Sequence, residues 1–201
     1  QSLALSQISS VRFTGVDILY GPVEKQDRDD AYLRFMAKLH DTYPDNVEIA
    51  AFYALSIMGS AHEGRDFGLY MQSAALMQKF FVQYPNHPGV AHYLIHATDD
   101  PLHAPLGLDA AKAYSEIAPN AAHAQHMTSH IFLALGDWER TLTANIRASA
   151  IINDTRAAEG KRPAGCGHYP SWLMYGYLQT GQRDAARAVM QQCIDNIEND
   201  D

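Results

Sequence analysis

Proline and glycine cut this 201-residue chain into helical lengths, and the cuts recur at a fixed interval. Pro85 and Pro119 lie 34 residues apart, as do His92 and His126, and again His96 and His130. A unit that returns at such a period cannot bury its apolar face alone, so successive copies must stack. The marks of strands, alternating Val/Ile/Thr runs and Asn-Gly turns, are absent. Apolar periodicity predicts ten helices, at about 9–20, 27–43, 46–58, 66–83, 88–98, 105–117, 120–135, 137–154, 168–180 and 182–198. Ser9, Asp27, Asp137 and Gln182 precede or open such segments as caps. Stops fall at Tyr43 and Tyr84, each before a proline, and at Gly136 and Gly181. Loops this short join neighbours as antiparallel hairpins, so ten helices make five.

Composition narrows the class of partner. Hydrophobic residues make up 47% and charged residues 19%, which is enough apolar material for one packed domain over 1–201. A formal net charge of −8, with no basic stripe, disfavours nucleic acid and anionic membrane. No apolar run approaches the ~20 residues of a membrane span. Gln1 in place of Met fits a processed chain or a fragment of a longer one. Cys166 and Cys193 are too few for a disulfide framework and lack metal-knuckle spacing. Cys193 reads as buried packing, Cys166 as a reactive thiol or an additional metal ligand beside His168.

The period and its small residues resemble the tetratricopeptide repeat. "IFLALGDWERTLTANIRASA" puts Gly136 at the turn, with Ser129 and Ala148 where the repeat keeps small side chains. "YLQTGQRDAARAVMQQC" repeats that turn at Gly181, with Ala186 and Cys193 following. "LGLDAAKAYSEIAPN" supplies Gly107 and Pro119. Other intervals depart from the period: Pro44 to Pro85 is 41 residues and Gly136 to Gly181 is 45, with loops absorbing the excess. The large aromatic usual near a repeat start is missing, and Met174 stands where a small residue is expected. The resemblance implies an all-α, right-handed array of about five antiparallel hairpins, the first helix of each lining a concave face.

Counted in that register, His92, His96, His126 and His130 all turn toward the hollow, as do His123, His168, Tyr53, Tyr175 and Asp99. Histidines at i and i+4 share one helix face and can offer two nitrogens to one metal ion. Packed helices lie ~8–10 Å apart, so two such pairs on neighbouring helices can converge on one ion. Four imidazoles, or three and a water, suit Zn²⁺, Cu²⁺, Ni²⁺ or Fe²⁺, with Asp99 or Asp100 as a ligand or an orienting partner. Two other readings stand beside this one: a hydrogen-bonded polar network, and direct contact with a ligand or peptide. The interiors "YLI" and "MTS" lack the glutamate of the HExxH zinc motif. His87, ahead of Pro88 and Gly89, reads as a cap or turn residue, and His40, His62 and His103 as surface residues. Ser129 reads as a packing residue rather than a nucleophile, and Asn145 as a partner for neighbouring backbone.

The blocks HPGxxHYxIH and HMxSHIF, with "PDNVEIAAFYALSIMG" and "HYPSWLMYGYLQTG" around them, are similar to a bacterial group of tetratricopeptide-like proteins. Members of that group are largely uncharacterised, and many carry an export signal, so both exported, periplasmic and cytoplasmic locations fit. The residues carried over are His87, His92, His96, His126 and His130, with His168. The function expected is a binding scaffold with a His-rich concave pocket, recognising a peptide, a protein partner or a small ligand through Tyr53, His123, His168 and Tyr175. The alternative is a metal-binding protein or metal-dependent enzyme using His92, His96, His126 and His130.

Overall fold

The computed structural model describes residues 13–198, so Gln1 and the expected Ser9 cap lie outside it. Helical residues 13–19 come first. Nine further helices follow among the described residues: α1 (Lys25–Thr42), α2 (Val47–Gly59), α3 (Phe67–Gln83), α4 (Pro88–Thr98), α5 (Ala104–Ile117), α6 (Ala122–Ala134), α7 (Trp138–Ala158), α8 (His168–Gln179) and α9 (Arg183–Glu198). There is no strand among the described residues, and the chain folds as tetratricopeptide-like helical hairpins.

Local chemistry sets the helix ends. Asn46, Asp66 and Asp137 each accept a hydrogen bond from the backbone N–H three residues on, at 3.1 Å, and so cap α2, α3 and α7. At α4 the same work is done by an imidazole: His87 Nδ1 accepts from Val90 N at 3.2 Å, while Nε2 meets Glu48 Oε1 at 3.0 Å. Asp27 lies within the first turn of α1, where its charge suits the helix dipole, instead of capping it. Tyr43, Tyr84 and Ala118 end α1, α3 and α5 with nearly one backbone conformation (φ −131, −131 and −130; ψ 65, 63 and 63). Each precedes a proline, whose ring drives the preceding residue out of the helical region. Gly136 and Gly181, at φ 73 and 74, make the tight turns after α6 and α8, a conformation other residues adopt only at a cost.

Packing resolves into two compact units, one up to Ala97 and one from Thr98. In the first, α2 packs between α1 and α3, burying Ala50, Ala54, Met77 and Phe80. Here His40 stacks on Tyr53 (ring centroids 5.3 Å) and meets the edge of Phe80, so it is half-buried rather than a surface residue. Burial first, then Lys79, holds its pKa below the ordinary value. His62 is likewise half-buried, against Asp30 Oδ1 at 2.8 Å.

In the second unit each helix from α5 to α9 packs on the next. Close approach depends on small residues. A Cβ on Gly107 would collide with Thr98 Oγ1 and come within 2.9 Å of Ile131 Cδ1; one on Gly176 would lie 2.9 Å from Leu142 Cδ2. Asp100 Oδ1 accepts from the backbone N–H groups of Leu102 and His103 at 3.0 Å, and its carboxylate also holds the His103 imidazole at 2.9 Å. His103, expected at the surface, is thus half-buried in a defined turn. Burial alone would raise the Asp100 pKa, but His103 and the backbone donors outweigh it and the carboxyl sits below its ordinary value. Cys166 and Cys193 are bonded to each other, which ties the loop before α8 to α9. Neither is a free thiol or a metal ligand, because the two sulfurs that the sequence left separate are spent on one bond.

Candidate metal centre

His126 and His130 sit one turn apart on α6, and His168 is the first residue of α8. Their Nε2 atoms converge: 3.1 Å between His126 and His130, 2.8 Å between His126 and His168. The three ligand atoms all lie within 4.8 Å of one another. His126 is 0% exposed. Trp172 covers the pair on α6, with its ring 4.5 Å from that of His130 and 4.9 Å from that of His126, and Tyr169 lies 5.0 Å from His126.

On His126 and His130 the other ring nitrogen is already committed. Asn145 on α7 donates Nδ2–H to Thr141 O at 2.9 Å, which turns its Oδ1 toward His126 Nδ1 at 2.7 Å. An amide oxygen only accepts, so His126 Nδ1 carries the hydrogen and Nε2 of the neutral ring is a bare lone pair. Asp99 Oδ2 holds His130 Nδ1 at 2.7 Å in the same way. Two neutral rings fixed so would point lone pair at lone pair across 3.1 Å. His168 can donate one hydrogen to His126, but that leaves His130 Nε2 still facing a filled position. A cation among the three nitrogens, whether a proton or a metal ion, resolves the conflict. Bonds of ~2.0–2.1 Å to a tetrahedral zinc would set nitrogens about 3.4 Å apart, so the His126–His130 and His126–His168 pairs would have to open by about 0.3 and about 0.6 Å.

The electrostatics favour the ligand form. Burial pushes the His126 pKa down to about 4; Asn145 opposes this, and His130, His168 and His123 add to it. At neutral pH the ring is uncharged and its lone pair available. His123, one turn earlier on α6, is exposed as a residue, yet its pKa is lowered by partial desolvation of the ring first and by His130 and His168 second.

No protein-family model and no curated protein sequence matches the chain. Solved structures of MamA, a tetratricopeptide-like helical protein, resemble it along nearly its whole length. They include an RS-1 MamA double mutant (14% identity, 96% of this chain and 97% of that one, TM-score 0.70). MamA from Desulfovibrio magneticus RS-1 gives 13% identity, 96% of each chain and a TM-score of 0.70. A further MamA crystal structure gives 17% identity, 96% and 97% coverage and 0.68. At such identities the likeness establishes the fold and carries no site with it.

The sequence-level expectations map onto the site unevenly. His126, His130 and the orienting Asp99 stand together in the second unit, joined by His168, which the repeat register had made a groove contact. His92 and His96 belong to the first unit, their rings 4.7 Å apart. Tyr175 is exposed over the edge of Trp138, at 5.9 Å. Ser129 is fully buried, its hydroxyl donating to His126 O at 2.6 Å, as a packing residue would. Trp172 and Tyr169 carry no sequence signal of this place: aromatic residues in a helix give no sign, without register, of which neighbour they cover. Asn145 makes the backbone bond its residue type suggests, but its bond to His126 depends on α6 and α7 facing each other there. Among the described residues, no helix is long and apolar enough to cross a membrane.

Proposed function

We propose that the chain is a tetratricopeptide-like interaction scaffold that holds one divalent transition-metal ion on His126, His130 and His168. The supporting observation is the meeting of three Nε2 atoms, two of them on rings whose other nitrogen is tied to Asn145 or Asp99. A histidine whose second nitrogen donates to a carboxylate or amide is the usual arrangement of a metal ligand, because that bond fixes both tautomer and ring orientation. Three neutral imidazoles suit Zn²⁺, Cu²⁺, Ni²⁺ or Fe²⁺ better than Mg²⁺ or Ca²⁺. Stacked helical repeats bind partners along an exposed face. His123 and Tyr175 are the second unit's candidate contacts for a peptide or protein partner, and Tyr53 the first unit's.

The test is a thermal melt of the untagged protein after chelation, with each of those four ions added back. An ion bound by the native state alone stabilises by RT ln(1 + [L]/Kd), or about 2.7 kcal/mol at a hundredfold excess over Kd. The midpoint rises for the parent and for His96→Ala, and the rise is much smaller in His130→Ala and His168→Ala. A parent that responds to none of the ions, or a His168→Ala protein that responds as the parent does, refutes the assignment.

A further inference from the structure

We infer that the ion on His126, His130 and His168 keeps one position open for an exchangeable small organic carboxylate; this rests on the metal assignment above. Among the described residues the cluster supplies three ligand atoms. Three protein nitrogens leave a tetrahedral ion one place, as in sites that exchange ligands, whereas closed structural sites spend all four on the protein.

The surroundings indicate what takes that place. His126 is sealed from solvent, so nothing enters from its side of the cluster. His168 is an exposed residue and opens α8. The first turn of α8 has no side-chain cap, since its cap position is Gly167. The N–H groups of His168 and Tyr169, Pro170 having none, and the positive end of the dipole of this 12-residue helix therefore lie at the third ligand. Such a helix end favours an anion. Charge points the same way: three neutral rings and a dication, with the Asp99 carboxylate bonded behind His130, leave the centre net positive. An incoming monoanion brings it to neutrality. Trp172 and Tyr169, both half-buried, border the cluster and offer an apolar surface to whatever the carboxylate is attached to. A carboxylate on a small apolar or aromatic body fits this combination. It could be a free organic acid or the C-terminus of a peptide bound by the scaffold.

The experiment uses the full chain loaded with Co²⁺, whose visible bands report coordination number and ligand exchange. Acetate, benzoate and a tripeptide ending in phenylalanine, with a free or an amidated terminus, are titrated in turn. The bands shift saturably with all three carboxylates and not with the amide. Benzoate saturates at least several-fold below acetate. In Trp172→Ala, measured on loaded protein, that preference falls to near unity, while Trp172→Phe retains it. The tripeptide saturating below benzoate would assign the site to peptide ends, and the reverse to free acids. Should the protein bind Co²⁺ with bands that no carboxylate moves, the position is filled, by His123 or another protein group, and the inference fails while the metal assignment stands. Equal saturation by acetate and benzoate in the parent removes the aromatic wall from the account. If no bands beyond those of the aqueous ion develop, the metal assignment itself has failed.

Discussion

At His126 two demands meet in one ring: it must stay neutral to survive burial, and it must keep a fixed tautomer to present Nε2. Asn145 meets the second demand through a bond its own backbone contact makes rigid. Asn145→Ala therefore removes the acceptor of a buried N–H, which costs about 1–3 kcal/mol in urea unfolding of the metal-free protein. The same change should weaken metal binding by roughly 10–100-fold, the usual cost of losing such an orienting partner. Loss of stability with unchanged affinity would mean that Asn145 serves packing alone. The neutral ring also makes stability depend on pH. The unfolded chain takes up a proton here near pH 6.5; the folded protein does so only near pH 4. Between those values the unfolded state holds more protons, so stability falls as pH falls through the window. The deficit at its foot is about 3 kcal/mol. Chelated protein unfolded in urea at steps from pH 7 to 4 should show that loss, and His126→Gln should show a shallower one. A flat profile in the parent would place the ring in solvent.

Among the elements, α6 bears the most consequence, because it carries two of the ligands and packs against both α5 and α7. Ser129 keeps that packing close, with no exposed surface at all. Ser129→Leu should cost ~1–3 kcal/mol by overpacking, read as a shift in the denaturant midpoint. A change within ~0.5 kcal/mol would show that the helices have slack at this point. The loop before α8 is held differently, by the bond from Cys166 to Cys193. Their separation of 27 residues makes reduction worth about 2–4 kcal/mol in the usual range. Melts with and without dithiothreitol should differ accordingly, and Cys166→Ser should match the reduced parent in either buffer. That pairing was not legible in the sequence. Two cysteines separated by a helix and a half can meet only if the loop folds back along α9, and nothing in a Gly-rich loop announces that course.

Across the whole molecule, what could be read in advance was what obeys the period. The prolines behind Tyr43, Tyr84 and Ala118 and the glycines at 136 and 181 end helices by local sterics, so the expected segments fall close to the observed ones: 105–117 against Ala104–Ile117, 120–135 against Ala122–Ala134. The histidine pairs were visible because spacing on one helix needs no tertiary knowledge. His168 has no i, i+4 histidine partner on its own helix, so the register marks it as a groove residue and not as a ligand. Its meeting with His126 is set by how α8 packs on α7, a matter of Gly176 against Leu142 rather than of any motif. The central claim, that these three side chains hold one ion, is tested most directly by X-ray absorption at the zinc edge of the loaded full chain. The account predicts a four-atom shell of light ligands at ~2.0–2.1 Å with the scattering of three imidazoles, falling to two in His168→Ala. A shell without imidazole scattering, or one unchanged in His168→Ala, would contradict it.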